Sequence, residues 1–131
     1  MKKPPEYIEM VDISNLAHIN TEKSREVGDE IIKMFTSYLK EVFGKSKTEY
    51  IYNGNGSFVM LTEEVDYITI EDMMRLFRLR LDERDEHRDV VVEYKIGISE
   101  TFKENKTATI VKIELGLSAF TAFLIILSKL L

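Results

Sequence analysis

The feature that most constrains this fold is a turn sequence between two apolar runs, YIYNGNGSFVML at residues 50–61. Asn-Gly pairs accept the positive φ angles that a tight hairpin turn requires. The flanking runs are rich in aromatic and β-branched residues, which favour strands. The pattern predicts a β-hairpin with strands at residues 49–53 and 57–62. Its tip, residues 53–56, carries no acidic side chain.

The chain before the hairpin has the pattern of one strand and two helices. An apolar run at residues 6–13 predicts a buried strand that brings Asp12 to its C-terminal end. Residues 14–19 follow as a short helix or turn. Over residues 24–43 the apolar side chains recur at the spacing of one helical face, and Gly44 ends that helix.

The chain after the hairpin predicts a connector, a helix and a strand. Residues 63–69 form the connector, and a helix begins at Ile70 or Glu71 and runs to about Arg84. The arginines of this helix alternate with acids, so we interpret its outer face as solvated and charge-paired. Residues 90–99 are apolar enough to predict a strand in a central position.

The C-terminal part of the chain permits more than one interpretation. Residues 107–115 alternate as a strand would, but the same segment could begin a helix that continues to Leu131. Residues 118–131 are strongly apolar and too few to span a bilayer. We favour a buried C-terminal helix that covers the sheet over a helix at a membrane edge or against a partner.

The predicted order of elements is βααββαβ with a final helix. This order indicates an α+β fold of the ferredoxin-like or palm type, in which an antiparallel-rich sheet has flanking helices. At 131 residues the chain is long enough for one hydrophobic core, so we expect a single domain over residues 1–131.

Composition and charge exclude several kinds of site and partner. The net charge is −5 and the pI about 5.1, which argues against nucleic acid as a main partner because that binding needs clustered Lys and Arg. The chain has no cysteine, so it forms no disulfide or thiolate metal site, and we expect a reducing, cytoplasmic location. The two histidines, His18 and His87, are far apart in sequence and predict no zinc site.

Two segments together resemble a known family. Residues 12–20 (DISNLAHIN), followed by residues 28–29 (GD), resemble the DxDxFKxxND…GD opening of GGDEF domains, the diguanylate cyclase family. The hairpin segment 54–58 (GNGSF) falls where that family has its GGDEF signature. The resemblance covers residues 7–99 and leaves residues 100–131 divergent. It implies a bacterial domain of the cyclic di-GMP pathway that acts as a homodimer or with a protein partner.

The resemblance also implies a metal site that is degenerate in this chain. Asp12 matches the first Mg²⁺-binding aspartate of active members, and Ile13 matches the residue whose backbone carbonyl binds the same ion. Gly56 stands where the second metal-binding acid should be, and Ser57 where the following acid should be. A hard divalent cation needs carboxylate oxygens. We therefore expect no resident cofactor, Mg²⁺ bound at most weakly with GTP, and no cyclase activity.

The residues that would contact a nucleotide are partly kept. Asn20 and Asp29 match the pair that hydrogen-bonds guanine in active members, and Gly54 matches the first glycine of the signature. These matches predict weak GTP binding. A structural interpretation of the pair is open as well, and we weight it higher. In it, Asn20 caps or turns the chain ahead of the long helix, and Asp29 lies in the first turns of that helix, where a carboxylate favours the dipole.

We consider three functional hypotheses. The preferred one is a catalytically inactive GGDEF-like domain with a regulatory or protein-interaction role and weak GTP binding. The second is a nucleotide cyclase or hydrolase of altered mechanism, in which Asp12 acts with a second acid such as Glu9, Glu63 or Glu64. The third is an assembly domain whose apolar residues 118–131 form a dimer or dock to a membrane-bound partner. Because the chain starts almost at its first strand, we expect a fragment of a larger regulator or a domain that acts through association.

Overall fold

The structure, a computed structural model, describes residues 6–101, which form a four-stranded sheet and three helices. The elements are β1 (Glu6–Ile13), α1 (Leu16–Glu22), α2 (Arg25–Phe43), β2 (Lys47–Tyr52), β3 (Ser57–Glu63), α3 (Tyr67–Asp82) and β4 (Tyr94–Thr101). This order confirms the predicted α+β fold with its βααββαβ pattern. The predictions for residues 107–115 and 118–131 concern segments outside the described residues.

The sheet has the strand order β2-β3-β1-β4, and each strand is antiparallel to its neighbours. β1 is therefore an inner strand, and Asp12 near its end has a strand on each side. β4 lies at an edge of the described sheet, beside β1, whereas a central position was predicted. The apolar run at residues 90–92 precedes this strand. Within β4, Ile96 and Ile98 alternate with polar or small residues, which is the pattern of a strand with one apolar face.

Helix α3 begins at Tyr67, before the predicted start at Ile70 or Glu71. Asp66 caps the helix, because its carboxylate accepts a hydrogen bond from the backbone N–H of Thr69 at 2.9 Å. This oxygen satisfies a backbone donor that has no partner within the helix. Asp66 lies in the segment that was predicted as a connector. Because Asp66 caps the helix there, the helix begins before the first residue of its apolar repeat.

Other element ends differ from prediction by a few residues. α1 runs to Glu22 rather than residue 19, β2 spans Lys47–Tyr52 rather than residues 49–53, and α3 ends at Asp82 rather than near Arg84. α2 ends at Phe43 with Gly44 after it, as predicted, and the hydroxyl of its N-cap Ser24 accepts a hydrogen bond from the N–H of Val27. Within residues 6–101 no helix is both long and apolar enough to cross a membrane.

The segment before β4 is held by the turn that follows β1. The strand begins at Tyr94, later than the predicted residue 90. The side-chain amide of Asn15 donates a hydrogen bond to the carbonyl of Val91 at 2.8 Å and accepts one from the N–H of Glu93 at 2.9 Å. Backbone groups that a neighbouring strand would bind are thus bound by a side chain, which explains the later start of the strand.

One face of the sheet packs under the helices and forms the core. Phe35 of α2 is fully buried, and the centre of its ring lies 5.5 Å from that of Phe77, 5.7 Å from that of Tyr94 and 6.1 Å from that of Phe58. These rings join α2 to α3, β4 and β3. Burial of one side chain of this size stabilises the fold by about 1.5–3 kcal/mol.

The two inner strands, β1 and β3, are buried on the opposite face of the sheet as well. Successive strand residues point to alternate faces, so Ile8, Met10, Val59 and Leu61 lie on the face away from the core rings. Each of them is at most 5% exposed. Asp12 lies on this second face, at the end of the sheet where the hairpin turns.

Candidate functional site

A cleft of about 540 Å³ lies at the end of the sheet where β1 ends and the hairpin turns. Its walls come from β1, α1, the hairpin tip and β4. Four residues predicted for metal or nucleotide contact line it, namely Asp12, Ile13, Asn20 and Gly54. The fifth, Asp29, is exposed on α2 and does not line the cleft. The structure thus brings most of the predicted site together.

Asp12 lies at the inner side of the cleft on the inner strand of the sheet. It is opposite Ser57 on β3 and opposite Lys95 on β4. The residue is 9% exposed, and its Oδ1 accepts a hydrogen bond from the hydroxyl of Ser57 at 2.6 Å. A hydroxyl donor offsets part of the cost of removing a carboxylate from water. Ser57 of the hairpin therefore binds Asp12 of β1.

The hairpin tip contains three consecutive residues with positive φ. These are Gly54 at 79°, Asn55 at 53° and Gly56 at 79°. The N–H of Ser57 donates to the carbonyl of Gly54 at 3.1 Å, which closes the turn. Positive φ at both central residues is typical of a type I′ turn, which Asn-Gly pairs favour. With the pairing of β2 and β3, this geometry confirms the predicted hairpin.

Gly56 packs against the end of β1. Its carbonyl accepts a hydrogen bond from the N–H of Ile13 at 2.9 Å, and its own N–H donates to the hydroxyl of Tyr52 at 3.0 Å. A Cβ atom at position 56 would lie 3.1 Å from Cβ of Ile13 and 3.2 Å from Cδ2 of Leu16. Both the φ angle and this close approach favour glycine. A side chain at position 56 would therefore be both strained and crowded.

Asn20 lies against Gly28 of α2. A Cβ atom at Gly28 would be 1.8 Å from Oδ1 of Asn20, so the amide occupies space that glycine leaves open. This Oδ1 is buried, and among the described residues it has no hydrogen-bond partner. Asn20 as a whole is only partly buried and forms part of the cleft wall. The wall of the cleft therefore includes an amide whose buried oxygen has no hydrogen-bond partner among the described residues.

Lys95 is a cleft residue to which the sequence did not point. It lines the cleft from β4 and is exposed, and among residues 6–101 it makes no ion pair. Its alternation with Ile96 indicates that it faces away from the core. Its place opposite Asp12 depends on the strand order and register, which this pattern alone does not specify.

The cleft residues do not fit a divalent metal site. Among the described residues, Asp12 is the only carboxylate that lines the cleft. In the same part of the chain, no group of three or more His, Cys, Asp or Glu could hold a metal ion. Ile13 could offer its backbone carbonyl, but two oxygen ligands would leave most of the octahedral shell of Mg²⁺ to water.

None of the acids considered as a second metal ligand lies beside Asp12. Glu63 pairs with Glu6 at the far end of β1. That end is six residues from Asp12, roughly 20 Å at about 3.3 Å per residue, and Glu64 follows Glu63. Glu9 is three residues from Asp12 on the same strand, so its side chain points to the opposite face.

Glu9 is instead a buried group of the core. It has no exposed surface, and its carboxyl group accepts a hydrogen bond from the hydroxyl of Thr62. Burial raises the pKa of Glu9 from 4.5 to about 8; the hydrogen bond from Thr62 opposes this rise and the charge of Glu6 adds to it. The carboxyl group is therefore mostly protonated at neutral pH.

Comparison with solved structures identifies the fold. The active GGEEF domain of a diguanylate cyclase from Vibrio cholerae matches with a TM-score of 0.68 and 19% sequence identity, over 77% of this chain and 65% of that chain. This chain has a GGDEF-like fold. The aligned region is less than two thirds of the Vibrio cholerae chain.

Two further GGDEF structures agree with this assignment. The GGDEF domain of DgcB from Caulobacter crescentus, in complex with c-di-GMP, has a TM-score of 0.68 and 15% identity, over 89% of this chain and 72% of that chain. The diguanylate cyclase SiaD from Pseudomonas aeruginosa, in complex with its activator SiaC, has a TM-score of 0.70 and 12% identity, over 83% of this chain and 43% of that chain. No family model matches the sequence, and no curated protein matches it. The GGDEF-like assignment therefore comes from the fold.

Proposed function

We propose that this GGDEF-like domain is a regulatory or protein-interaction domain that binds GTP weakly and has no cyclase activity. The observation that carries the proposal is Gly56, with its positive φ and its contact with Ile13. Nucleotidyl transfer depends on metal charge and on positioning. A cleft with Asp12 as its one carboxylate among the described residues lacks the ligands that such a metal needs.

Residual nucleotide binding is supported by the cleft and by Asn20. A volume of about 540 Å³ is in the range of small-molecule sites. An amide offers both a donor and an acceptor, which is the chemistry that the edge of a guanine base requires. Asp29 follows Gly28, the residue against which Asn20 packs, so we place it at the rim of the base-binding position.

A regulatory role requires a partner, which we propose is a second copy of the chain or another protein. SiaD, a structural neighbour, has been solved with its activator SiaC. A protein with this fold thus occurs in an assembly with a protein partner. Sedimentation of the purified chain with and without GTP tests the homodimer. A monomer under both conditions directs the search to another protein.

The proposal is tested by product analysis and by calorimetry on the same sample. The purified protein is incubated with GTP and Mg²⁺, with an active diguanylate cyclase as the positive control, and cyclic di-GMP is measured by chromatography. We expect none. Formation of cyclic di-GMP would overturn the proposal. In calorimetry we expect GTP to bind at micromolar or weaker concentrations, about −8 kcal/mol at the most favourable.

Substitutions at the base-binding position identify the pocket. Asn20→Ala and Asp29→Ala should each weaken GTP binding. Glu26→Ala is the matched control, because Glu26 is another exposed acid in the first turn of α2. Equal binding by all variants would place the nucleotide elsewhere. The absence of binding heat from a folded sample would show that the cleft does not bind GTP. The protein-interaction role would then be the remaining part of the proposal.

A further inference from the structure

Lys95 gives the cleft a positive charge at the place where a metal site would need acids. It lies directly across from Asp12 in the antiparallel pair of β1 and β4. Side chains at such positions start about 5 Å apart on the same face of the sheet. Lys95 is exposed, and among the described residues its ammonium group has no ion-pair partner.

The two charges of the cleft differ in accessibility. Asp12 is 9% exposed and holds the hydrogen bond from Ser57, so a ligand meets little of its carboxylate. Lys95 is accessible from the solvent. The other residues that line the cleft are uncharged. A ligand that enters therefore encounters a cation first.

The hairpin tip adds neutral donors on the other wall. Among residues 6–101, no hydrogen bond is donated by the backbone N–H groups of Gly54 and Asn55. A Cβ atom at Gly54 would find no heavy atom within 4 Å, so the space beside this turn is open. Successive free N–H groups in a turn form a concave site that suits an anion. Lysine binds phosphate as a point charge, and Lys95 lines the same cleft as this turn.

We propose that Lys95 and the hairpin tip bind the phosphate group of a nucleotide without a divalent metal ion. The inference rests on the proposed weak binding of GTP and specifies which groups bind the phosphate. Lys95 neutralises the phosphate charge that Mg²⁺ would otherwise neutralise. Asp12 then acts against binding, since a carboxylate beside a phosphate repels it. In a metal-dependent site the same aspartate would act in favour of binding.

The first test is GTP calorimetry in excess EDTA and in Mg²⁺. We expect GTP to bind in EDTA at least as tightly as in Mg²⁺, because Mg²⁺ bound to the triphosphate would neutralise the charge that Lys95 meets. Guanosine and inorganic phosphate are titrated as separate probes. Guanosine should bind more weakly than GTP. Binding of inorganic phosphate alone, in competition with GTP, would identify a free phosphate site instead and would overturn the assignment to a nucleotide.

The second test uses four variants, each checked for folding by circular dichroism. Lys95→Gln should weaken GTP binding about tenfold in EDTA and leave guanosine binding unchanged, whereas Lys95→Arg should keep it. Lys45→Gln is the control for net charge, because Lys45 is exposed in the turn after α2 and lies outside the cleft. Asp12→Asn keeps an acceptor for the hydroxyl of Ser57 and should leave binding equal or tighter.

The outcomes separate this inference from the proposed function. GTP binding that needs Mg²⁺ and is lost in Asp12→Asn would overturn the metal-free mode, even with no cyclic di-GMP formed. Unchanged binding by Lys95→Gln would overturn the role of the lysine. No binding to the folded protein would overturn this inference and leave the proposed protein-interaction role intact. Formation of cyclic di-GMP would overturn the proposed function itself.

Discussion

Gly56 and Ile13 are in such close contact that a Cβ atom at position 56 would lie 3.1 Å from Cβ of Ile13. The same two residues are joined by a hydrogen bond from the N–H of Ile13 to the carbonyl of Gly56 at 2.9 Å. The hydrogen bond and the close approach together hold the hairpin tip against the end of β1.

An acid introduced at position 56 should destabilise the domain and should not create a cyclase. Gly56→Glu places a side chain at a φ of 79° and against Ile13 and Leu16. We expect a loss of about 1–3 kcal/mol from crowding, in addition to about 1–2 kcal/mol for the left-handed backbone. The measurements are urea unfolding and an assay for cyclic di-GMP with GTP and Mg²⁺.

Gly54→Glu is the matched control for this substitution. Gly54 has the same φ of 79°, but a Cβ atom there meets no heavy atom within 4 Å. Gly54→Glu should lose only the stability that a non-glycine residue costs in the left-handed backbone. Equal losses of stability in the two variants would contradict the role of the contact with Ile13, and cyclic di-GMP from Gly56→Glu would contradict the second expectation.

Asn20 and Gly28 should be energetically coupled. Ala is usually favoured over Gly in a helix by about 0.5–1 kcal/mol. Here Gly28→Ala should gain less than this, because the new Cβ atom would lie 1.8 Å from Oδ1 of Asn20 and would displace that side chain. In an Asn20→Ala background the obstruction is gone, and Gly28→Ala should show the full gain. A double-mutant cycle by urea unfolding measures the coupling, and simple additivity would exclude it.

Glu9 should make the fold less stable as the pH rises. Its pKa is near 4.5 when unfolded and about 8 when folded, so the folded state holds a proton that the unfolded state has lost between these values. The stabilisation is fully present below pH 4.5 and is lost as the pH rises through 8. The slope is at most about 1.4 kcal/mol per pH unit.

Glu9→Gln removes this titration and keeps an acceptor for the hydroxyl of Thr62. The free energy of unfolding of the variant, relative to that of the wild type, should rise from pH 5 to pH 8. Urea unfolding in a pH series measures this difference. Glu49→Gln is the control, because Glu49 is exposed on β2. A constant difference between Glu9→Gln and the wild type would contradict the raised pKa.

Asn15 should contribute to stability through its two hydrogen bonds to the segment before β4. Asn15→Ala loses the bond to the carbonyl of Val91 and the bond from the N–H of Glu93. We expect a loss of about 1–3 kcal/mol in thermal or urea unfolding. Asn15→Asp keeps an acceptor for Glu93 but cannot donate to Val91, so it should lie between Asn15→Ala and the wild type. Full stability of Asn15→Ala would show that water replaces both bonds.

The hairpin and the long helix were predictable because their signals are local. Asn55 and Gly56 specify a turn with positive φ, and the apolar repeat of residues 24–43 specifies one face of a helix. The start of α3 at Tyr67 was missed because one capping hydrogen bond from Asp66 overrides the apolar pattern. The place of β4 beside β1 was not predictable, because strand order depends on contacts between distant parts of the chain.

The residue types along the chain specify which chemical groups this protein can use, among them Asp12, Asn20 and a hairpin tip without an acid. How these groups meet follows from the tertiary structure. It placed Lys95 opposite Asp12, left Asp29 outside the cleft and pressed Gly56 against Ile13. The physical reason is that composition and turn chemistry act over a few residues. Strand order and register, by contrast, are set by burial of the whole sheet and determine which side chains share a face.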